Sequence, residues 1–116
     1  MHPSGQVSLM IERLLAGVVS QRGITDAWLV EKDGFVIYSK ESPHSQPANQ
    51  AVQDWLSLAH SGSEPHTVTL VQEQGFVLLR TLRIGVLILK AERATNLGAL
   101  RLALDKLSED EGKMDA

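Results

Sequence analysis

The chain has 116 residues, 43% of them apolar, and a formal net charge of −3, which fits one domain with an aliphatic core. The absence of cysteine excludes disulfides and thiolate metal sites, and the acidic balance with only two Trp, one Tyr and two Phe argues against nucleic-acid binding. The N-terminus has no signal-peptide pattern and no apolar run approaches the roughly 20 residues that cross a bilayer, so we expect a cytoplasmic protein without membrane insertion.

The first part of the chain predicts a helix and a β-hairpin. Apolar residues recur at helical spacing from Val7 to Gln21, and Gly23 is a suitable stop. Ile24 to Val30 and Phe35 to Ser39 are typical of two strands, and Lys32-Asp33-Gly34 predicts the turn between them because Asp-Gly accepts positive φ values. The predicted core side of the helix consists of Val7, Met10, Ile11, Leu14, Leu15 and Val18.

A second helix is predicted to begin at Pro47, because the first residue of a helix has no acceptor for its N–H within the helix and proline lacks that N–H. The helix is predicted to end before Gly62. Its apolar arc of roughly 160° is wide for one buried face and has Trp55 near its centre. The apolar arc consists of Ala48, Ala51, Val52, Trp55, Leu56, Leu58 and Ala59, and the opposite side of Gln50, Gln53, Asp54 and Ser57.

Three consecutive strands are predicted next, over His66 to Gln72, Phe76 to Thr81 and Ile84 to Ala91. Glu73-Gln74-Gly75 connects the first two, and Leu82-Arg83, without Gly, Asn or Asp, is expected to connect the last two. Val77 to Leu79 and Val86 to Leu89 are apolar at every position, which indicates strands in the middle of a sheet with both faces covered.

A third helix is predicted after Asn96, whose side chain suits an N-cap, and is expected to end near Leu107. Gly98 in its first turn would let the helix approach a neighbouring backbone.

We expect a domain over residues 1–108 and a flexible acidic tail over residues 109–116. The element order predicts an α/β fold with a five-stranded antiparallel sheet and helices on both faces. The narrow apolar stripe of the third helix consists of Leu97, Leu100, Leu104 and Leu107.

The run Gly85-Val86-Leu87-Ile88-Leu89 followed by Asn96-Leu97-Gly98-Ala99-Leu100-Arg101, with the Asp33-Gly34 hairpin, resembles the Roadblock/dynein light chain domain over nearly the whole chain. The resemblance implies a profilin-like three-layer sandwich in the order α-ββ-α-βββ-α. It also implies a single-domain bacterial or archaeal adaptor that is not an enzyme and that regulates a small Ras-like GTPase. Such a protein could stimulate GTP hydrolysis by positioning the switch residues of the GTPase.

The resemblance further implies a homodimer or heterodimer in which the third strands pair across a two-fold axis and the second helices pack together. Two features of the sequence agree with this: the strand from His66 to Gln72 has no Pro or Lys to blunt an edge, and the wide arc of the second helix could contact both its own sheet and a partner. Trp55 is interpreted as an interface anchor, a core residue or both. The predicted dimer interface consists of Val52, Trp55, Leu58, Ala59, Thr67, Val68, Thr69, Leu70 and Val71.

The resemblance favours the polar side of the second helix as the docking surface for the GTPase, and a plain solvated face is the alternative. Residues 80–106 carry six basic and two acidic side chains and offer arginine-finger candidates, although regulation does not require such a finger in trans. Arg101 is either a solvated charge or a specific contact, and Leu9 and Leu102 are either lone exposed side chains or parts of a second partner surface. The docking residues are Gln50, Gln53, Asp54 and Ser57 with His60 as an extension, and the finger candidates are Arg80, Arg83 and Arg93.

Nothing in the sequence predicts catalysis, a metal or a cofactor. The four histidines lack metal-ligand spacing, Ser61-Gly62-Ser63 is interpreted as a helix-terminating loop, and no glycine-rich phosphate loop is present. Two alternatives to a GTPase regulator stay open: a purely structural subunit, and a PAS-like or profilin-like sensor of a small molecule. The sensor needs a cavity with orienting polar groups, which a largely aliphatic chain does not favour. The histidines are His2, His44, His60 and His66.

Overall fold

The computed structural model describes residues 4–31, 33–40, 53–57 and 67–114. Residues 53–57 are helical and are called α2. The other elements, in chain order, are α1 (Ser4–Val19), β1 (Ile24–Val30), β2 (Val36–Lys40), β3 (Thr67–Gln72), β4 (Gly75–Thr81), β5 (Val86–Glu92) and α3 (Leu97–Met114).

The five strands form one antiparallel sheet in the order β2-β1-β5-β4-β3. The last strand, β5, therefore lies in the centre, where Leu87 pairs with Leu29 of β1 on one side and with Arg80 of β4 on the other. The strands β2 and β3 lie at the two edges of the sheet. The predicted five-stranded antiparallel sheet is confirmed.

The sheet buries apolar side chains on both faces, as predicted. Val77, Leu78 and Leu79 of β4 are all completely buried, and Leu78 belongs to a different core cluster from its two neighbours. This alternation follows from the two-residue repeat of a strand. The first cluster packs α1 and α3 on one face, and the second packs Leu56 of α2 on the other. Helices on both faces are therefore confirmed.

The turn between β4 and β5 differs from the prediction. β5 begins at Val86 rather than Ile84, and Gly85 belongs to the turn with φ of +151°, a backbone conformation that L side chains rarely adopt. A Cβ at Gly85 would lie 2.5 Å from the carbonyl oxygen of Val30. The expectation of a turn without glycine is wrong, because this glycine allows the turn to approach β1.

Small shifts of boundary affect α1 and β2. α1 spans Ser4–Val19 instead of Val7 to Gln21, and β2 begins at Val36 instead of Phe35. Met10, predicted on the core side of α1, is 53% exposed, whereas Ile11, Leu15 and Val18 are buried. The apolar stripe that reaches the sheet is therefore narrower than the periodicity indicates.

The start of α3 confirms the predicted N-cap. The side-chain Oδ1 of Asn96 accepts the N–H of Ala99 at 3.0 Å, which satisfies one of the donors that a helix start leaves without a partner. The expectation for Gly98 is wrong: among the described residues a Cβ there would contact only Asn96 Oδ1, at 3.4 Å, and no described backbone of another element comes within 4 Å.

The end of α3 lies further along the chain than predicted. α3 continues to Met114 rather than ending near Leu107, so it crosses the expected domain boundary at residue 108. Glu111 is buried and its carboxylate accepts the backbone N–H groups of Arg83 at 2.8 Å and Ile84 at 3.0 Å. The last turns of the helix are thus tied to the turn between β4 and β5.

Candidate functional site

The predicted interface residues that the structure describes lie on α2 and on the edge strand β3. β3 pairs with β4 from Thr67 opposite Arg80 to Gln72 opposite Gly75. Within the described ranges no strand lies on the other side of β3. Its outward backbone groups are therefore placed to pair with another strand.

Trp55 of α2 packs against Trp28 of β1, a residue that the sequence pattern alone does not mark as functional. The two ring centroids are 6.3 Å apart with an interplanar angle of 32°. Trp28 is 2% exposed, whereas Trp55 is only partly buried. Trp55 thus contributes to the core and still presents apolar surface outward, which agrees with both interpretations of its role. Trp28 lies in the apolar run from Ala27 to Val30, and that run was the available sequence signal for a strand covered on both faces.

Three predicted interface residues meet at the margin of the second core cluster. Trp55, Val68 and Leu70 are each partly buried and pack against that cluster, and we call them the α2–β3 rim. Val68 and Leu70 reach it because they lie opposite Leu79 and Val77 on the same face of the sheet. The α2–β3 rim therefore joins the surface of the helix to the edge of the sheet.

The other face of β3 is tied by hydrogen bonds to β4, through Arg80, and to α3, through Arg101. Thr67 Oγ1 accepts Nη1 of Arg80 at 2.7 Å, and Thr69 Oγ1 accepts Nη2 of Arg101 at 3.3 Å. For Arg101, the structure thus shows the specific-contact alternative. Val71, the third residue on this face, is 78% exposed.

The structure separates the arginine-finger candidates. Arg80 forms an ion pair with Asp105 at 3.2 Å and donates from Nε and Nη2 to Ser108 Oγ. These contacts direct its guanidinium toward α3, so Arg80 does not fit a finger that must reach another protein. Arg83 and Arg93 are exposed.

The described part of the predicted docking surface is exposed. Gln53, Asp54 and Ser57 all lie on the outer side of α2. A Cβ placed on Gly34 would lie 3.5 Å from Nε2 of Gln53, so this surface adjoins the turn between β1 and β2. Several predicted residues lie outside the described part of the chain: Gln50, Val52, Leu58, Ala59, His60, and the other three histidines, His2, His44 and His66.

Among the described residues, no three His, Cys, Asp or Glu side chains are grouped as metal ligands. None of the helices in residues 4–31, 53–57 and 67–114 has the length and apolar character needed to cross a membrane.

Burial, and then the nearby Glu12 carboxylate, raise the pKa of Tyr38 above 10.0.

The structure is similar to three solved structures across most of each chain. An MglB described as having a tetrameric arrangement is 14% identical, with a TM-score of 0.70 over 97% of this chain and 90% of that one. Myxococcus xanthus MglB is 17% identical, with a TM-score of 0.68 over 98% and 90%. A Roadblock/LC7 domain from Streptomyces avermitilis is 16% identical, with a TM-score of 0.57 over 85% and 92%.

No protein-family model matches the chain, and a search of curated protein sequences finds no match either. At these identities the structural likenesses show the fold, which is the Roadblock-like α/β fold that the sequence predicts.

Proposed function

We propose that this protein is a dimeric, non-enzymatic adaptor that binds and regulates a small Ras-like GTPase. The observation that carries the proposal is the α2–β3 rim beside an edge strand whose outer side is open within the described residues. The similarity to MglB structures, one of them with a tetrameric arrangement, supports self-association.

The dimer would form by antiparallel pairing of β3 with β3 of a second copy, since a two-fold axis brings the same strand of each copy together. Backbone hydrogen bonds would satisfy the open edge, and the α2–β3 rim of each copy would cover that of the other. Trp55 is the natural anchor because it is partly exposed in the protomer and Trp is enriched among the residues that contribute most to binding at interfaces.

The GTPase would bind the outer side of α2. Gln53 and Ser57 are exposed there, one helical turn apart, and in the dimer the two α2 surfaces would lie on the same side of the joined sheets. Such a surface can hold the switch segments of a GTPase in the arrangement that hydrolyses GTP, because phosphoryl transfer depends mainly on positioning and electrostatics. Arg93 and Arg83 are exposed and are the other finger candidates, and Arg83 also takes part in an interaction within the fold.

The test uses a small Ras-like GTPase from the same organism, loaded with GTP or GDP. We expect binding that depends on the nucleotide and a changed rate of GTP hydrolysis. Gln53→Arg and Ser57→Arg should each weaken binding by about tenfold or more while the dimer persists. Glu109→Arg, an exposed substitution on α3, is the matched control and should bind normally.

An intact dimer that binds the GTPase in neither nucleotide state would contradict the proposed regulation. That result would favour the purely structural subunit. Unchanged hydrolysis with Arg83→Ala and Arg93→Ala would limit the mechanism to positioning without an arginine finger.

A further inference from the structure

A groove of about 500 Å³ runs between α1 and α3. These helices lie on the sheet face opposite α2, so the groove is separate from the surface of the proposed function. Its floor is apolar and consists of Leu14 and Val18 from α1 with Ala103 and Leu107 from α3.

The walls of the groove leave apolar surface open to the outside. Leu102 lies on the α3 wall and is 72% exposed. On the α1 wall, apart from its chain neighbours and the backbone of its own helix, no described atom lies within 4 Å of where a Cβ on Gly17 would stand. Glycine weakens a helix interior, and the missing side chain at Gly17 leaves room on this wall for another backbone.

Basic side chains dominate the charge of the groove. Arg13 of α1 and Lys106 of α3 line it, together with a single acid, Asp110. Neither Arg13 nor Lys106 forms an ion pair with another described residue. The excess of positive charge contrasts with the net charge of −3 of the whole chain.

We infer that this groove binds an amphipathic helix of another protein, one that carries acidic residues beside its apolar stripe. The apolar floor fits side chains repeated at helical spacing, and Arg13 and Lys106 would pair with carboxylates at the margins of that helix. The groove extends along α3 from Ala99 to Asp110, roughly 16 Å at 1.5 Å per residue, which matches about three helical turns.

A second copy of this chain fits the groove less well. Two-fold pairing would set the groove against itself and bring two pairs of cations together against only two Asp110 carboxylates. Like charges placed opposite each other disfavour an interface. The charge pattern therefore favours an acidic partner of different sequence.

The experiment selects binders to the whole protein from a displayed library of helical peptides with randomised surfaces. We expect enriched peptides with Asp or Glu flanking an apolar stripe at spacings of three and four residues. In fluorescence anisotropy with a selected peptide, Leu102→Glu should raise the Kd by about tenfold or more. Leu9→Ala, a substitution of a leucine that is 49% exposed on α1 but does not line the groove, should leave the Kd unchanged.

A charge exchange separates specific pairing from general apolar adhesion. The Arg13→Glu/Lys106→Glu double variant should reject the selected acidic peptide and bind its Glu-to-Lys counterpart, with circular dichroism verifying the fold. Enrichment without acidic residues, failure to enrich any peptide, or binding unaffected by Leu102→Glu overturns the inference. An oligomer larger than a dimer that dissociates with Leu102→Glu also overturns it, because the occupant is then a second copy. The GTPase is absent from these measurements, so their outcome is independent of the proposed function.

Discussion

The carboxylate of Glu111 accepts the backbone N–H of Ile84 at 3.0 Å, although the two residues are 27 positions apart. With the second bond, to the N–H of Arg83, both carboxylate oxygens hold the turn between β4 and β5. An acidic side chain near the end of a helix lacks support from the helix dipole, so the turn supplies the partners that stabilise it.

Replacing Glu111 should destabilise the protein. Glu111→Ala removes a charged acceptor from two backbone donors and is expected to lower the free energy of unfolding by about 2 kcal/mol. Glu109→Ala, an exposed acid on the same helix, should change it by less than about 0.5 kcal/mol. Urea denaturation measures both, and equal effects of the two variants would show that the contact contributes nothing.

Alanine substitutions at two glycines should change the stability of the protein in opposite directions. Gly17→Ala fills open space in α1 and should stabilise the protein by about 0.5–1 kcal/mol. Gly85→Ala should destabilise it, because its φ is +151° and the new Cβ would meet the Val30 carbonyl oxygen. Thermal unfolding of both variants gives the comparison, and stabilisation by Gly85→Ala would contradict the geometry of the turn.

Tyr38 should titrate above its usual value. Burial, and then the Glu12 carboxylate, raise the pKa of Tyr38 above 10.0, so the folded state favours the neutral phenol. The resulting stabilisation is present below pH 10 and is lost as the pH rises through the pKa of the folded protein. Because the chain has one tyrosine, ultraviolet absorbance of tyrosinate reports it directly. Glu12→Gln should lower the pH midpoint of the Tyr38 titration. Glu73→Gln, on the distant turn between β3 and β4, should leave that midpoint unchanged.

The proposed dimer should be sensitive to charge on the edge strand. Val71 is 78% exposed, so Val71→Lys should leave the protomer folded while disfavouring strand pairing, as lysine does at natural sheet edges. Sedimentation velocity should then show a monomer. Leu102→Lys is the matched control, since Leu102 is 72% exposed on α3, and it should remain a dimer. A Val71→Lys variant that sediments as the dimer would argue against pairing through β3.

The N-cap of α3 provides a local test. Asn96→Ala should lower the free energy of unfolding by about 1 kcal/mol because the N–H of Ala99 loses its acceptor. Asn96→Asp should lower it less, since a carboxylate oxygen still accepts this N–H. Chemical denaturation measures both variants. Equal losses for alanine and aspartate would show that the cap bond is not the source of the effect.

Local patterns in the sequence were sufficient to predict the sheet. The uninterrupted apolar runs around Leu78 and Leu87 predict strands with two covered faces, and Asn96 predicts the start of α3, because these signals depend only on neighbouring residues. The apolar arc around Trp55 likewise predicts a residue between core and surface.

Contacts between distant elements were not accessible in this way. The end of α3 depends on Glu111 meeting Ile84, and the boundary of β5 depends on Gly85 approaching Val30. A predictor limited to local signals reads acidic residues after Leu107 as a solvated tail. For the same reason Arg80 resembles a free surface charge until Asp105 and Ser108 are brought to it by the fold.

The strand order has a consequence for how the chain acquires its structure. β1 and β2 form a hairpin early in the sequence, but the inner neighbour of β1 is β5, which begins at Val86. A two-stranded hairpin is marginally stable alone, so β1 and β2 gain the support of the rest of the sheet only after β5 has been synthesised. Pairing of strands so far apart also slows folding through the entropy of loop closure. Pairing of the central strand β5 with β1 and β4 is therefore a late step of folding, and it is the step that makes the sheet cooperative.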